Sequence, residues 1–296
     1  MIGEDFHYNN FWLSDYGMKM YDPEETQQFI GREIDKSGLS PLRKVPSHYS
    51  VHYSNVLTLS FLILKDTHTC MSQEDYQLNG EEIHTIRSWL ESPDTPAPLF
   101  VLPYDGGSDV YYFGIFTDIQ PFIVAHECCG LYLTFTCNAP FGFSSVISST
   151  YKINSFVGDI TGNFHNASAE QQDYLKPEIR IFSEDTFDGT EKIVIKNITD
   201  NNQSMALTMP RGASALLLDC RRQRITDENH RLIAMSDVGI AMPDMTADSY
   251  VSAELYTFYW LRFVHGNNRL VFSMPNPNTI SKIQINARYI IKSGGF

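Results

Sequence analysis

The chain has 296 residues, of which 43% are hydrophobic, 13% aromatic and 19% charged; this composition belongs to a globular protein and excludes a disordered or collagen-like chain. The formal net charge of −13 repels phosphate backbones, so stable nucleic-acid binding is not expected. The length allows one large or two ordinary domains, and either choice buries a substantial core.

The five cysteines stand at irregular spacings, and the adjacent pair Cys128-Cys129 lacks the two-residue gap of a ligand hairpin. Neither a disulfide framework nor a metal site is expected, and His126 beside the pair reads as a strand residue. The opening MIGEDFHYNNFW has no basic stretch leading into an apolar core, so no signal sequence is read there. The longest apolar run, 56–64, is interrupted by Thr58 and Ser60 and falls short of the ~18 apolar residues of a membrane span. The expectation is a soluble protein of a reducing compartment, without membrane insertion.

Taken in order, residues 6–11 read as a short first strand with an Asn9-Asn10 turn, and 36–44 as a loop rich in Gly, Ser and Pro. The run 49–64 is the longest strand-like stretch of the first half. Its later part sets Leu57, Leu59, Phe61 and Ile63 against Thr58, Ser60 and Leu62, one face for a core and one mostly polar. A helix is expected over 80–91. Asn79 is its cap with Glu82 as capping-box partner, and Ile83, Ile86 and Leu90 recur at helical spacing with Trp89 widening the stripe. Pro93 and Pro96 end it. Such a stripe is a face laid on a sheet rather than a cofactor box. A hairpin follows over 99–116 with Asp105-Gly106-Gly107-Ser108 at its turn, then strands over 119–126 and 130–137.

Residues 131–145 read LYLTFTCNAPFGFSS. Leu131, Leu133, Phe135 and Cys137 alternate with Tyr132, Thr134 and Thr136, a strand with one buried face. Asn138-Ala139-Pro140 ends it, because proline brings no amide donor to a ladder, and Gly142 is read as letting the backbone turn. A strand ending in Pro and Gly near the chain midpoint marks a domain boundary. The serines and Val146-Ile147 beyond Phe143 read as a linker lying along the first domain, so the joint falls near Thr150. The expected domains are 1–149 and 150–296.

The second half offers short strands over 179–182, 193–197, 204–207, 215–219, 231–235, 256–264, 269–273 and 282–291, with turn residues between them; this spacing indicates a sandwich or barrel. The fold class is therefore mainly β, all-β but for one clear helix in the first half. No catalytic motif emerges: there is no Gly-x-Ser-x-Gly, no His-Glu-x-x-His and no phosphate-binding glycine loop. Residues 158–162, GDITG, read as loop. No enzyme activity, cofactor or metal is expected. Arg221, Arg222 and Arg224 form the only basic cluster, next to Asp219, Asp227 and Glu228. It reads as a charged hairpin surface or as a contact for an acidic partner.

Several stretches, in order, resemble the distal tail protein family of long-tailed bacteriophages. They are EEIHTIRSWL and DVYYFGIF, the boundary TFTCNAPFGFSS, then PEIRIF, KIVIKNITDNN and ALLLDCRRQRI, and FYWLRFVHGNNRLVF, which resembles a closing hairpin with Gly266-Asn267-Asn268 at the turn. The resemblance implies a structural virion protein of the phage tail tip, assembled in the bacterial host cytoplasm. It implies a hexameric ring joining the tail tube above to a tail-associated lysin or fibre protein below, with receptor-binding proteins outside and DNA passing through unbound. An N-terminal β-sandwich with the helix over 80–91 and the hairpin over 99–116 would make the ring. A galectin-like β-sandwich would project outward, with no further inserted module. A second resemblance lies in His265, Asn267 and Arg269, which are similar to the sugar-binding strand of galectins although no Trp follows Trp260. It implies a carbohydrate-binding adhesion module as the alternative, with a β-sandwich glycoside hydrolase as a third class. The Gly-Asn-Asn turn is expected to point these side chains in different directions.

Overall fold

The computed structural model describes residues 3–21, 30–35, 50–66, 76–103, 109–153, 158–171, 173–239, 258–276 and 279–292. The expected loop over 36–44 and the turn residues 105–108 lie outside the described residues. The fold is mainly β, with a single α-helix among the described residues, and the chain divides into two compact units, Met1–Ser145 with Ile290–Phe296, and Val146–Tyr289. No helix among the described residues is long and apolar enough to cross a membrane.

The first unit holds β1 (Gly3–Tyr8), β2 (Phe11–Trp12), β3 (Met18–Tyr21), β4 (Arg32–Asp35), β5 (Ser50–Tyr53) and β6 (Thr58–Lys65). Helix α1 (Gly80–Leu90), β7 (Ala97–Pro103), β8 (Val110–Val124), β9 (Glu127–Cys137) and β10 (Gly142–Ser144) follow. The second unit holds β11 (Ile147–Lys152), β12 (Gly158–Asn166), β13 (Glu178–Ser183), β14 (Lys192–Asn197), β15 (Gln203–Thr208), β16 (Ala215–Asp219), β17 (Arg224–Asp227), β18 (Gly266–Asn276) and β19 (Ile280–Ala287). Strand β20 (Ile290–Ile291) returns to the first unit.

In the first unit the main sheet runs β2-β1-β7-β8-β9-β6-β3, with β10 on β8 and β20 on β10. Asn9 and Asn10 both take positive φ, which asparagine tolerates best after glycine, and so close the β1–β2 hairpin. Alternation puts Leu59, Phe61, Ile63, Leu131, Leu133 and Phe135 on one buried face, where they meet α1. The helix starts as its sequence demands. Asn79 Oδ1 accepts from the Glu82 amide at 2.9 Å, and Glu82 Oε2 accepts from the Asn79 amide at 2.8 Å. Burial pushes the Glu82 carboxyl up, but the Lys65 ammonium at 2.8 Å and the Asn79 amide outweigh it and hold the group below its usual value. Ile86, Trp89 and Leu90 are buried against the sheet. Trp89 stacks on Phe6 (5.7 Å) and Tyr16 (4.6 Å), and its indole N–H donates to the Tyr8 carbonyl at 2.9 Å.

Several local expectations fail here for visible reasons. The strands expected over 110–116 and 119–126 are one strand, β8; its register against β9 shifts between Phe116 and Asp118, a bulge whose polar residues read as a break. His126 is not a strand residue, since Ala125 and His126 both have positive φ and form the β8–β9 turn. Gly142 is not a turn either. It lies within β10, where an added Cβ would sit 2.3 Å from Val110 Cγ1, so it is required for close strand approach.

The second unit is a two-layer sandwich. One sheet runs β11-β19-β13-β16-β17 and the other β12-β18-β14-β15, all pairs antiparallel. Ile179, Ile181, Leu216, Leu218, Ile283 and Ile285 of the first sheet share one core with Phe164, Ile193, Ile195, Met205, Leu270 and Phe272 of the second. Val146 and Ile147, read from sequence as linker, belong to this unit; β11 begins at Ile147, paired with Ala287 of β19. Residues 158–162 are not a loop but the start of β12, and Gly162 is needed because a Cβ there would lie 2.2 Å from the Tyr151 ring.

Two expected strands are replaced by irregular backbone. Over 231–235 only the bridge Thr226↔Leu232 forms, leading into a 3-10 turn at Met235–Val238. The described part of the expected strand 256–264 carries only two isolated bridges, Met205↔Phe258 and Leu175↔Phe263. FYWLRFVHGNNRLVF is therefore not a hairpin: β18 pairs with β12 and β14 instead. Side chains hold the irregular segment in place of a ladder. Asn197, fully buried, donates to the Arg262 carbonyl at 2.9 Å and to Asn268 Oδ1 at 3.0 Å. Asn268 donates to the Val264 carbonyl at 2.8 Å and accepts from its amide at 3.0 Å. The Asp200 carboxylate, 2% exposed, takes Arg262 Nε at 2.9 Å, and the guanidinium lies 3.5 Å over the Tyr174 ring.

Candidate functional site

The galectin-like candidate residues sit where β18 begins. Gly266 has φ +88° and Asn268 points inward, fully buried. Asn267 and Arg269, two residues apart, both lie on the exposed face of the strand. They are not splayed by a turn, because Gly266 already opens β18 and alternation takes over from it. His265 is exposed but precedes the strand. The imidazole that joins the pair is His165 of β12, directly opposite Asn267, with Nδ1 2.7 Å from Asn267 Oδ1. Asn163, opposite Arg269, continues the same exposed row. Sequence reading missed His165 because its partner is 102 residues away; only the alternation of β12 hinted at its face.

Arg221 and Arg222 occupy the β16–β17 connection and Arg224 opens β17, all exposed. Asp219 at the end of β16 shapes it: its Oδ1 accepts from the amides of Arg221 at 3.0 Å and Arg222 at 2.9 Å. Gln223 at φ +55° completes the turn. Asp219 Oδ2 is 3.8 Å from Arg222 Nε, a long contact for an ion pair.

Among the described residues no group of three or more His, Cys, Asp or Glu side chains is placed to share a metal ion. Burial pushes the Cys137 and Cys220 thiols up to about 12, so at neutral pH both are protonated core residues rather than nucleophiles. The charge is divided unequally. The first unit carries 19 Asp and Glu against 8 Lys and Arg, a formal charge of −11, and the second 16 against 14, or −2.

Comparison with known proteins shows what the chain is similar to. Residues 1–139 match the model of a family described as phage tail protein N-terminal domain. Over nearly its whole length the chain then has the fold of the phage SPP1 Dit protein, gp 19.1, described as a paradigm of hub adsorption apparatus in Gram-positive-infecting phages. The TM-score is 0.55 at 13% identity, over 96% of this chain and 98% of that one. Chains of the phage P2 baseplate in its activated conformation are similarly related. With Ca the TM-score is 0.54 at 10% identity, over 99% of both chains; with Sr it is 0.52 at 11%, over 98% of both. No curated protein matches in sequence. The chain is thus Dit-like in fold from end to end.

Proposed function

We propose that this protein is a non-enzymatic hub of a phage tail tip: six copies close into a ring at the distal end of the tail tube. The ring joins the tube to a tail-associated lysin or fibre protein and offers its periphery to receptor-binding proteins. The supporting observation is the coincidence of a tail-domain match over residues 1–139 with a hub-protein fold that spans both units. The shared fold extends over 96% of this chain and 98% of the other. On this reading the ring is formed by the first unit, Met1–Ser145 with Ile290–Phe296. The acidic first unit suits a channel that passes DNA without retaining it. As a virion component the protein is assembled in the bacterial cytoplasm. Native mass spectrometry of the purified chain is expected to give a species of roughly 200 kDa, six chains of 33.8 kDa. A strict monomer at every concentration tested would count against the ring.

One observation favours a second reading, carbohydrate binding by the second unit. Asn267 and Arg269 share an exposed face with His165, so an amide, a guanidinium and an imidazole converge where sugar hydroxyls could be held. On this reading Arg269→Ala abolishes glycan-array binding by the full chain; no binding by the unaltered protein would remove the reading.

A further inference from the structure

We infer that the turn carrying Arg221, Arg222 and Arg224 is a docking surface for the acidic first unit of a second copy of this chain. The inference rests on the self-assembling hub reading and adds a contact to it. Elsewhere three arginines lie close to carboxylates, Arg87 with Glu91 at 2.8 Å, Arg180 with Glu178 at 2.5 Å and Arg262 with Asp200 at 2.9 Å. Arg32, Arg211, Arg231 and Arg269 form no ion pair among the described residues but stand apart from other arginines in the sequence. The turn differs in setting three arginines without a close ion pair together. Among the described residues the guanidinium groups of Arg221 and Arg224 have no ion-pair partner, and Arg222, its side chain 73% exposed, has only the 3.8 Å contact to Asp219.

The backbone of the turn is nevertheless pinned. The carboxylate that could have neutralised it spends Oδ1 on two amides instead, so three like charges within four residues are presented together by a fixed hairpin end. Like charges so placed repel one another, and an opposite surface relieves the repulsion. The arginine fork suits carboxylates, which it grips through two parallel N–H donors. The chain itself supplies an excess of carboxylates in stoichiometric amount, since its first unit holds −11 of the net −13. A nucleic acid is the poorer occupant, because the same net charge opposes a phosphate backbone. Between copies, the contact would also offset part of the repulsion that acidic first units exert on one another.

The test is sedimentation velocity of the full chain and of the triple variant Arg221→Glu, Arg222→Glu, Arg224→Glu, at about 50 mM and about 500 mM salt, between which the screening length falls to under half. Circular dichroism verifies that the variant is folded, and a triple Arg→Lys variant keeps the charge as a second control. The expected result is association of the unaltered chain that weakens with salt, a dissociation constant raised about tenfold or more in the Glu variant at low salt, and near-normal association of the Lys variant. Association of the Glu variant as tight as that of the unaltered chain would overturn the docking role and leave the ring reading standing. An unaltered chain that stays monomeric under all conditions would sink the ring reading, and this inference with it.

Discussion

Trp89→Ala is expected to cost the first unit about 3–5 kcal/mol, the range for emptying a large aromatic site in a packed core. Trp89 is 5% exposed and lies between the Phe6 and Tyr16 rings. Phe6 in turn touches Phe61 and Phe116, so the cavity would open at the centre of the aromatic cluster where α1 meets the sheet. The substitution also strands the Tyr8 carbonyl that the indole N–H serves. Differential scanning calorimetry is expected to show the transition of the first unit lowered by roughly 6–20 °C. Trp89→Phe, which keeps the stacking and loses the hydrogen bond, should fall by well under half as much. If Trp89→Ala melts like the unaltered chain, α1 does not hold the sheet in the manner described.

Asp200→Ala is expected to have the second-largest effect, about 2–4 kcal/mol on the second unit. It removes the counter-charge from a guanidinium packed over Tyr174, while Arg262 keeps 27% of its side chain exposed, and that access to water sets the loss below the figure for a fully enclosed pair. Arg262 also belongs to the irregular segment that bridges rather than pairs with its neighbours, held by its carbonyl to Asn197. Urea unfolding followed through Trp260, which packs against the core of this unit, is expected to show the midpoint fall. The double replacement Asp200→Leu with Arg262→Met should cost less than Asp200→Ala alone, because it removes the buried charge as well as its partner. A double variant less stable than the single one would mean that the pair contributes through packing and not through charge.

The parts of the fold that local chemistry decides were legible in the residues. Helix α1 was readable because Asn79, Glu82 and the stripe ending in Leu90 lie within twelve residues of one another and signal a start and a face. The inner faces of β6 and β9 were readable from alternation. What misled were places where a distant partner sets the role of a residue. The polar pair Thr117-Asp118 looked like a strand end, but the ladder to β9 absorbs it as a bulge. Gly142 looked like a turn residue, but Val110 and Tyr112 require its missing side chain. Residues 258–264 are apolar enough for a strand, yet buried Asn197 and Asn268 serve backbone carbonyls there, and Asp200 holds the Arg262 side chain. The return of β20 to β10 joins residues near the chain midpoint to its end, Phe143 to Ile290, which no local pattern announces. At the candidate sites the exposure of the arginine turn was legible from its charge, whereas the shared face of Asn267 and Arg269 depended on Gly266 opening a strand.

The central claim is that copies of this chain close into a six-fold ring, and negative-stain imaging of the purified full-length protein tests it most directly. Class averages are expected to show rings with six-fold symmetry around a central hole. Averages showing only single particles without six-fold symmetry, at concentrations where the mass in solution is that of one chain, would contradict it.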